Sequence, residues 1–225
     1  MESALLPTAD GHELTADIES PDGASVGGVV VSHPHPHYGG NRFNPVVDAV
    51  FRHLPTLGFT TLRFDFRAEF DGGIGERSDV IAALDELEGR SAGPLAVVGY
   101  SFGAAVALNT DDERIETMVA IAPPLTMMDV GTPRRPTLVL MPRHDQFTEV
   151  DAASEVVGSW PAAELRVIES TDHFLAGRTT TVAEAAGDWL VAWAAAMNGR
   201  MAGGSAGETA DEPTVDRRNP VPPDR

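Results

Sequence analysis

The 225 residues carry 34 acidic against 16 basic side chains, a net charge of −18, and every basic one is arginine. That balance excludes a partner gripped through phosphates by Lys and Arg, so neither nucleic acid nor an anionic membrane surface is expected. Cysteine is absent, which removes disulfides, thiolate metal sites and a cysteine nucleophile, and the length fits one α/β domain and not two.

In chain order, residues 4–20 alternate around Asp10-Gly11 in the manner of a hairpin leading into a sheet. Short runs rich in β-branched residues follow at 27–32, 60–66, 95–98, 117–122, 137–141 and 164–168 and read as strands. Helical spacing of apolar residues lies between them. Residues 44–57 carry Val46, Val47, Val50, Phe51 and Leu54, and Val80, Ile81, Leu84 and Leu87 mark a second helix. Further helices are expected over 101–108, 150–160 and 182–197. Strands alternating with helices predict a mostly parallel central sheet covered on both faces. Only about a dozen residues separate the strands at 117–122 and 137–141, too few for a cap domain, so an open or shallow site is expected. The domain is expected to span 1–197. Residues 198–225 hold almost no large apolar side chain, and a disordered tail is the expectation there. The N-terminus lacks the regions of a secretory leader, and the longest apolar run, 190–197, is too short to cross a bilayer. A cytoplasmic location follows as the default.

The most informative motif is Gly99-Tyr100-Ser101-Phe102-Gly103, placed directly after the strand at 95–98 and directly before a helix. A serine presented on a sharp strand-to-helix turn needs neighbours without a Cβ where the helix packs back on the strand. A serine hydroxyl is a weak nucleophile, so the turn calls for a histidine base and a carboxylate that orients it, in the chain order Ser, Asp or Glu, His. Asp145 and His173 occupy those places, each just past the end of a parallel strand, where sites in open sheets form. Glu149 and Asp151 compete with Asp145, which follows its strand most directly. Asp172 reads as a turn residue. His12 and His53 do not follow a core strand in the required order, and a surface loop is the bland alternative for His173 itself.

The stretch from Ser32 to Gly40 contains His33-Pro34-His35-Pro36-His37-Tyr38. Its position after the first core strand fits the loop that completes an oxyanion hole, whose preorganised N–H donors stabilise the tetrahedral intermediate. The backbone N–H of Phe102 is the expected first donor, and that of His35 the second, since proline has none to give. Histidines at alternating positions also admit a metal reading, set aside because no further ligand nearby completes a set. No cofactor is expected. For Leu62 to Arg67 and the Gly-rich residues 71–76 two readings stand: a half-buried strand with its charges turned outward, or a rim loop ordered by Arg67 or Glu76. Tyr38, Phe102 and Phe174 are candidate pocket walls, with core packing as the alternative for each.

Together the patterns H-P-H-P-x-x-G-G (His33 to Gly40), R-F-x-F-R (Arg63 to Arg67) and G-Y-S-F-G (Gly99 to Gly103) resemble the α/β-hydrolase fold superfamily, in particular short bacterial and archaeal serine hydrolases related to dienelactone hydrolases. The resemblance spans residues 26–193 and implies Ser101, Asp145 and His173 as a catalytic triad. The fold itself does not fix the substrate; with Ser101 as nucleophile, His173 as base and Asp145 orienting it, hydrolysis of a small-molecule carboxylic ester or related acyl bond through an acyl-enzyme is the expectation. Two departures stand out: Ala68-Glu69-Phe70 replaces the glycine usual after the F-R pair, and the cysteine nucleophile of dienelactone hydrolases proper is missing. A serine peptidase and a non-catalytic interaction module on the same fold are the competing readings. The module predicts an Asp145–His173 separation beyond hydrogen bonding.

Overall fold

A computed structural model describes residues 1–91 and 93–204, the side chains of 198–204 excepted. Eight strands form one sheet: β1 (Glu2–Pro7), β2 (Glu13–Glu19), β3 (Gly27–Ser32), β4 (Phe59–Phe64), β5 (Leu95–Tyr100), β6 (Ile115–Ile121), β7 (Thr137–His144) and β8 (Ala163–Asp172), in the order β1-β2-β4-β3-β5-β6-β7-β8. From β4 to β8 every pairing is parallel, and the β1–β2 hairpin joins antiparallel at the β4 edge. The helices are α1 (Pro45–His53), α2 (Glu76–Glu88), α3 (Phe102–Leu108), α4 (Val150–Gly158) and α5 (Thr179–Gly204).

Period-two alternation divides the central strands between two cores. Val29, Val31, Ala96 and Val98 face α1 and α5, whereas Val30, Val97 and Val139 face α2, α3 and α4. With both faces covered, nearly every residue of β3, β4 and β5 is buried, which is why these strands read as continuous apolar runs. α1 starts on Asn44, whose side chain accepts the Val46 N–H at 3.0 Å, with Pro45 at its first position. It stops in a 3₁₀ turn over Leu54–Leu57 closed by Gly58 at φ 95°. That turn divides what the sequence presents as one helix over 44–57.

Other boundaries shift. α2 begins four residues before the expected 80–87, and β7 and β8 run on to His144 and Asp172, with an irregularity between Pro142 and His144. α5 continues to Gly204, seven residues beyond the expected domain end at 197, and the remainder of the expected tail lies outside the described residues. Residues 122–136, between β6 and β7, form turns and no cap.

The chain leaves β3 by α1 to pair β4 on one side, then crosses by α2 to β5 on the other. The order of strands therefore reverses at β3/β5, and a crevice opens at the carboxyl ends of those two strands. Ser32 lies opposite Gly99 there.

Candidate active site

Ser101 stands between the last residue of β5 and the first of α3, at φ 54° and ψ −116°, a backbone region that side-chain-bearing residues rarely occupy. The glycines of its motif make that turn sterically possible. A Cβ on Gly99 would sit 2.5 Å from Ala104 Cα, and one on Gly103 would sit 2.6 Å from the His33 carbonyl oxygen. α3 is buried along its whole length, with Gly103, Ala104, Ala105 and Ala107 among its seven residues, so it packs close against the sheet and aims its N-terminus at the crevice.

Three predicted side chains meet at this point. His173 Nε2 lies 2.9 Å from Ser101 Oγ, and His173 Nδ1 lies 2.7 Å from Asp145 Oδ2. The other carboxylate oxygen, Oδ1, accepts the N–H groups of Phe147 and Thr148 at 2.8 and 3.1 Å, which fixes the plane of the carboxylate. Asp145 and His173 are buried, so the pairing is shielded from water. The His173 backbone is pinned as well: its N–H donates to Gln146 Oε1 at 3.2 Å, and its carbonyl accepts the Tyr100 hydroxyl at 2.9 Å. Burial and the nearby Asp145 push the Tyr100 phenol well above its ordinary pKa, so it stays a donor. The wide Asp145–His173 separation that a non-catalytic module predicts is absent.

Glu149 is exposed and stands just before α4, and Asp151 lies exposed in that helix; neither reaches the imidazole. Asp172 accepts the Phe174 N–H at 3.1 Å, the turn role expected of it. His53 packs on α5, where a Cβ at Gly187 would meet its ring.

The loop after β3 differs from an extended segment with three histidines on one face. Residues 36–38 form a 3₁₀ turn, and His35 Nδ1 accepts the His37 N–H at 3.2 Å. His33 instead turns inward: Nδ1 bonds the Pro34 carbonyl at 2.5 Å, and Nε2 accepts the Phe66 N–H at 3.0 Å. Burial lowers the His33 pKa, in keeping with a neutral ring whose Nδ1 carries the proton. Among the described residues, no three His, Asp or Glu side chains gather as metal ligands. The backbone N–H groups of Phe102 and His35 donate to no protein acceptor among the described residues.

The segment after β4 settles between its two readings. Arg63 is 1% exposed, and Arg67, Glu76 and Asp79 are likewise buried, so outward-facing charges are not what the strand presents. Arg67 bonds Asp79 through its side chain at 2.7 Å and through its backbone N–H at 3.0 Å, and reaches Asp10 in the hairpin turn at 2.7 Å. Glu76 accepts the N–H groups of Asp71 and Gly73, both at 2.9 Å. Loop 68–75 is therefore ordered by Arg67 and Glu76.

That loop supplies a residue the sequence did not single out for the site. Phe70 packs its ring on His35 at 4.5 Å between centroids and lies 5.7 Å from Phe102. Tyr38 and Phe174 are 88% and 61% exposed, next to His35 and His173 respectively, and not core. Phe102 is buried core packing. Phe147 flanks the His173 ring at 4.5 Å, a contact hidden in the sequence because Phe147 follows Asp145 and not His173.

Comparison with known proteins bears on the family and the fold. A family model described as alpha/beta hydrolase family matches residues 23–223. An uncharacterized protein of Rickettsia prowazekii is 30% identical over 184 residues, covering 72% of this chain and 77% of its own. Two solved structures superpose at 26% identity: an alpha-beta serine hydrolase homologue from Coxiella burnetii, with a TM-score of 0.77 over 84% of this chain and 97% of that one, and a serine hydrolase without lid from Xanthomonas campestris, with a TM-score of 0.78 over 85% and 94%. With its mostly parallel sheet, its strand-to-helix serine turn and no cap among the described residues, the chain belongs to the alpha/beta hydrolase family.

Proposed function

We propose that the protein is a serine esterase that cleaves small carboxylic esters through an acyl-enzyme. One observation carries this reading: an unbroken line of hydrogen bonds from Ser101 Oγ through His173 to Asp145, starting from a strained turn at the carboxyl end of a parallel strand. Asp145 keeps the Nδ1 proton on the ring, leaving Nε2 to accept the serine proton. Ser101 Oγ then bonds to the ester carbon, and the former carbonyl oxygen takes up the negative charge. The N–H groups of Phe102 and His35 stabilise that oxyanion; one such donor is worth about 10²–10³ in rate. His173 next protonates the departing alkoxide, the carbon–oxygen bond breaks, and water activated by the same imidazole releases the acid.

The absence of a cap favours small acyl groups over long chains that need a deep apolar tunnel. The experiment is a panel of p-nitrophenyl esters from two to sixteen acyl carbons with wild type and Ser101→Ala. Turnover peaking at two to six carbons and lost in the variant supports the reading. Turnover equal in both proteins contradicts it.

A further inference from the structure

Resting on the esterase reading, we infer that the acyl group delivered to Ser101 carries an uncharged aromatic ring, seated against Phe70, His35 and Tyr38. The stereochemistry of the reaction separates the two halves of the substrate. The alcohol leaves beside His173, because that imidazole must protonate it, so the acyl half points across the oxyanion donors toward the loops that carry His35 and Phe70.

Those loops present ring faces. The His35 ring lies 4.5 Å from Phe70, 5.0 Å from Tyr38 and 4.8 Å from Phe102, at interplanar angles of 46°, 59° and 50°. These are the tilted, offset arrangements in which aromatic rings attract one another beyond simple area burial, so a further ring completes the set better than an alkyl group of equal size. Five large aromatic side chains are exposed among the described residues: Tyr38, Phe43, Phe70, Phe147 and Phe174. Phe43 is engaged by the Arg42 and Arg63 guanidinium groups at 4.3 and 4.9 Å. The other four all flank the site, two on the acyl side and two beside His173. An exposed aromatic cluster confined to the rim of a crevice marks a ligand surface. Exposed Glu69 and Asp71 adjoin Phe70 in the chain, which disfavours a carboxylate on the ring.

The test compares p-nitrophenyl phenylacetate with p-nitrophenyl cyclohexylacetate, which share leaving group and carbon count, each rate corrected for hydroxide hydrolysis. Wild type should favour the phenyl ester about fivefold in kcat/KM, the size of a ring–ring contact. Phe70→Leu should bring that ratio to about one, and Tyr38→Leu, at a side chain too exposed to unfold the chain, should lower it as well. A wild-type ratio near one, or a ratio unchanged by both substitutions, overturns the ring site. A parallel arm measures p-nitrophenyl acetate with wild type and Ser101→Ala: if that turnover depends on Ser101 while the ring preference is missing, only the ring site falls; if wild type turns over none of these esters, the esterase reading falls with it.

Discussion

Two buried polar networks meet the carboxyl edge of the sheet, and they differ in one respect. Around Arg67 each charge is answered from within: Asp79 and Asp10 take the guanidinium, and Glu76 is used up on two backbone N–H groups. The line through His173 is closed at its Asp145 end and open at the other. Among the described residues Ser101 Oγ has the imidazole as its one protein partner, and the N–H groups of Phe102 and His35 have none. A satisfied network holds loops in place. An unsatisfied one beside a strained backbone is where a substrate finds bonds waiting.

The contrast can be broken most severely at its open end. His173→Ala should lower kcat by about 10⁴-fold or more, and Asp145→Asn by about 10³–10⁴-fold, with smaller changes in KM. Steady-state kinetics on a short ester reads both, and equal losses of thermal stability and activity would show that these residues only hold the fold.

At the closed network the expected effect is on stability. Arg67→Met leaves the fully buried Asp79 carboxylate unpaired and should cost about 3–5 kcal/mol in urea unfolding. Adding Asp79→Leu should recover much of that, because a pair replaced by apolar groups escapes the penalty of a lone charge. A single variant as stable as wild type would mean that the loop does not depend on the ion pair.

A steric test sharpens the comparison further. Gly103→Ala pushes a methyl group against the His33 carbonyl, at 2.6 Å before relaxation, so about 1–3 kcal/mol of stability should be lost. Displacing the loop that bears His35 should also lower kcat more than it raises KM. A variant with full stability and full kcat would show that the close approach relaxes freely.

The smallest effect is a pH dependence at the seam between the two networks. Burial lowers the His33 pKa below its ordinary 6.5. As pH falls through 6.5 the unfolded chain binds a proton that the folded chain still refuses. The contribution is therefore complete above 6.5 and shrinks as pH falls toward the lower folded value. Urea unfolding at pH 7.5 and 5.5 should show a smaller loss in His33→Gln, whose amide oxygen can still accept the Phe66 N–H, than in wild type. An identical loss in both proteins would remove His33 from the account.

The sequence made the open network legible and offered Arg67 and Glu76 of the closed one only as one of two readings, without their partners, for a physical reason. Ser101, Asp145 and His173 follow core strands in a fixed order, and parallel topology brings strand ends together whatever the loop lengths. Nothing comparable marks Asp10, which Arg67 reaches at 2.7 Å across a separation of 57 residues, because a charged residue in a sequence reads the same whether it meets water or a buried partner. The sequence singled out His35 for its backbone N–H, but the rings of His33, His35 and His37 looked equivalent for a similar reason. Only the burial of His33 against Phe66 separates it from the other two. Phe70 was visible as a departure from glycine, and its place against His35 depends on a loop whose order comes from Glu76.

The central claim is that Ser101 is an activated nucleophile, and intact-mass measurement after exposure to a fluorophosphonate tests it most directly. The account predicts one adduct per wild-type chain, mapped to the peptide containing Ser101, none on Ser101→Ala, and a strongly slowed reaction on His173→Ala. An unlabelled wild type, or an adduct that survives Ser101→Ala, would contradict it.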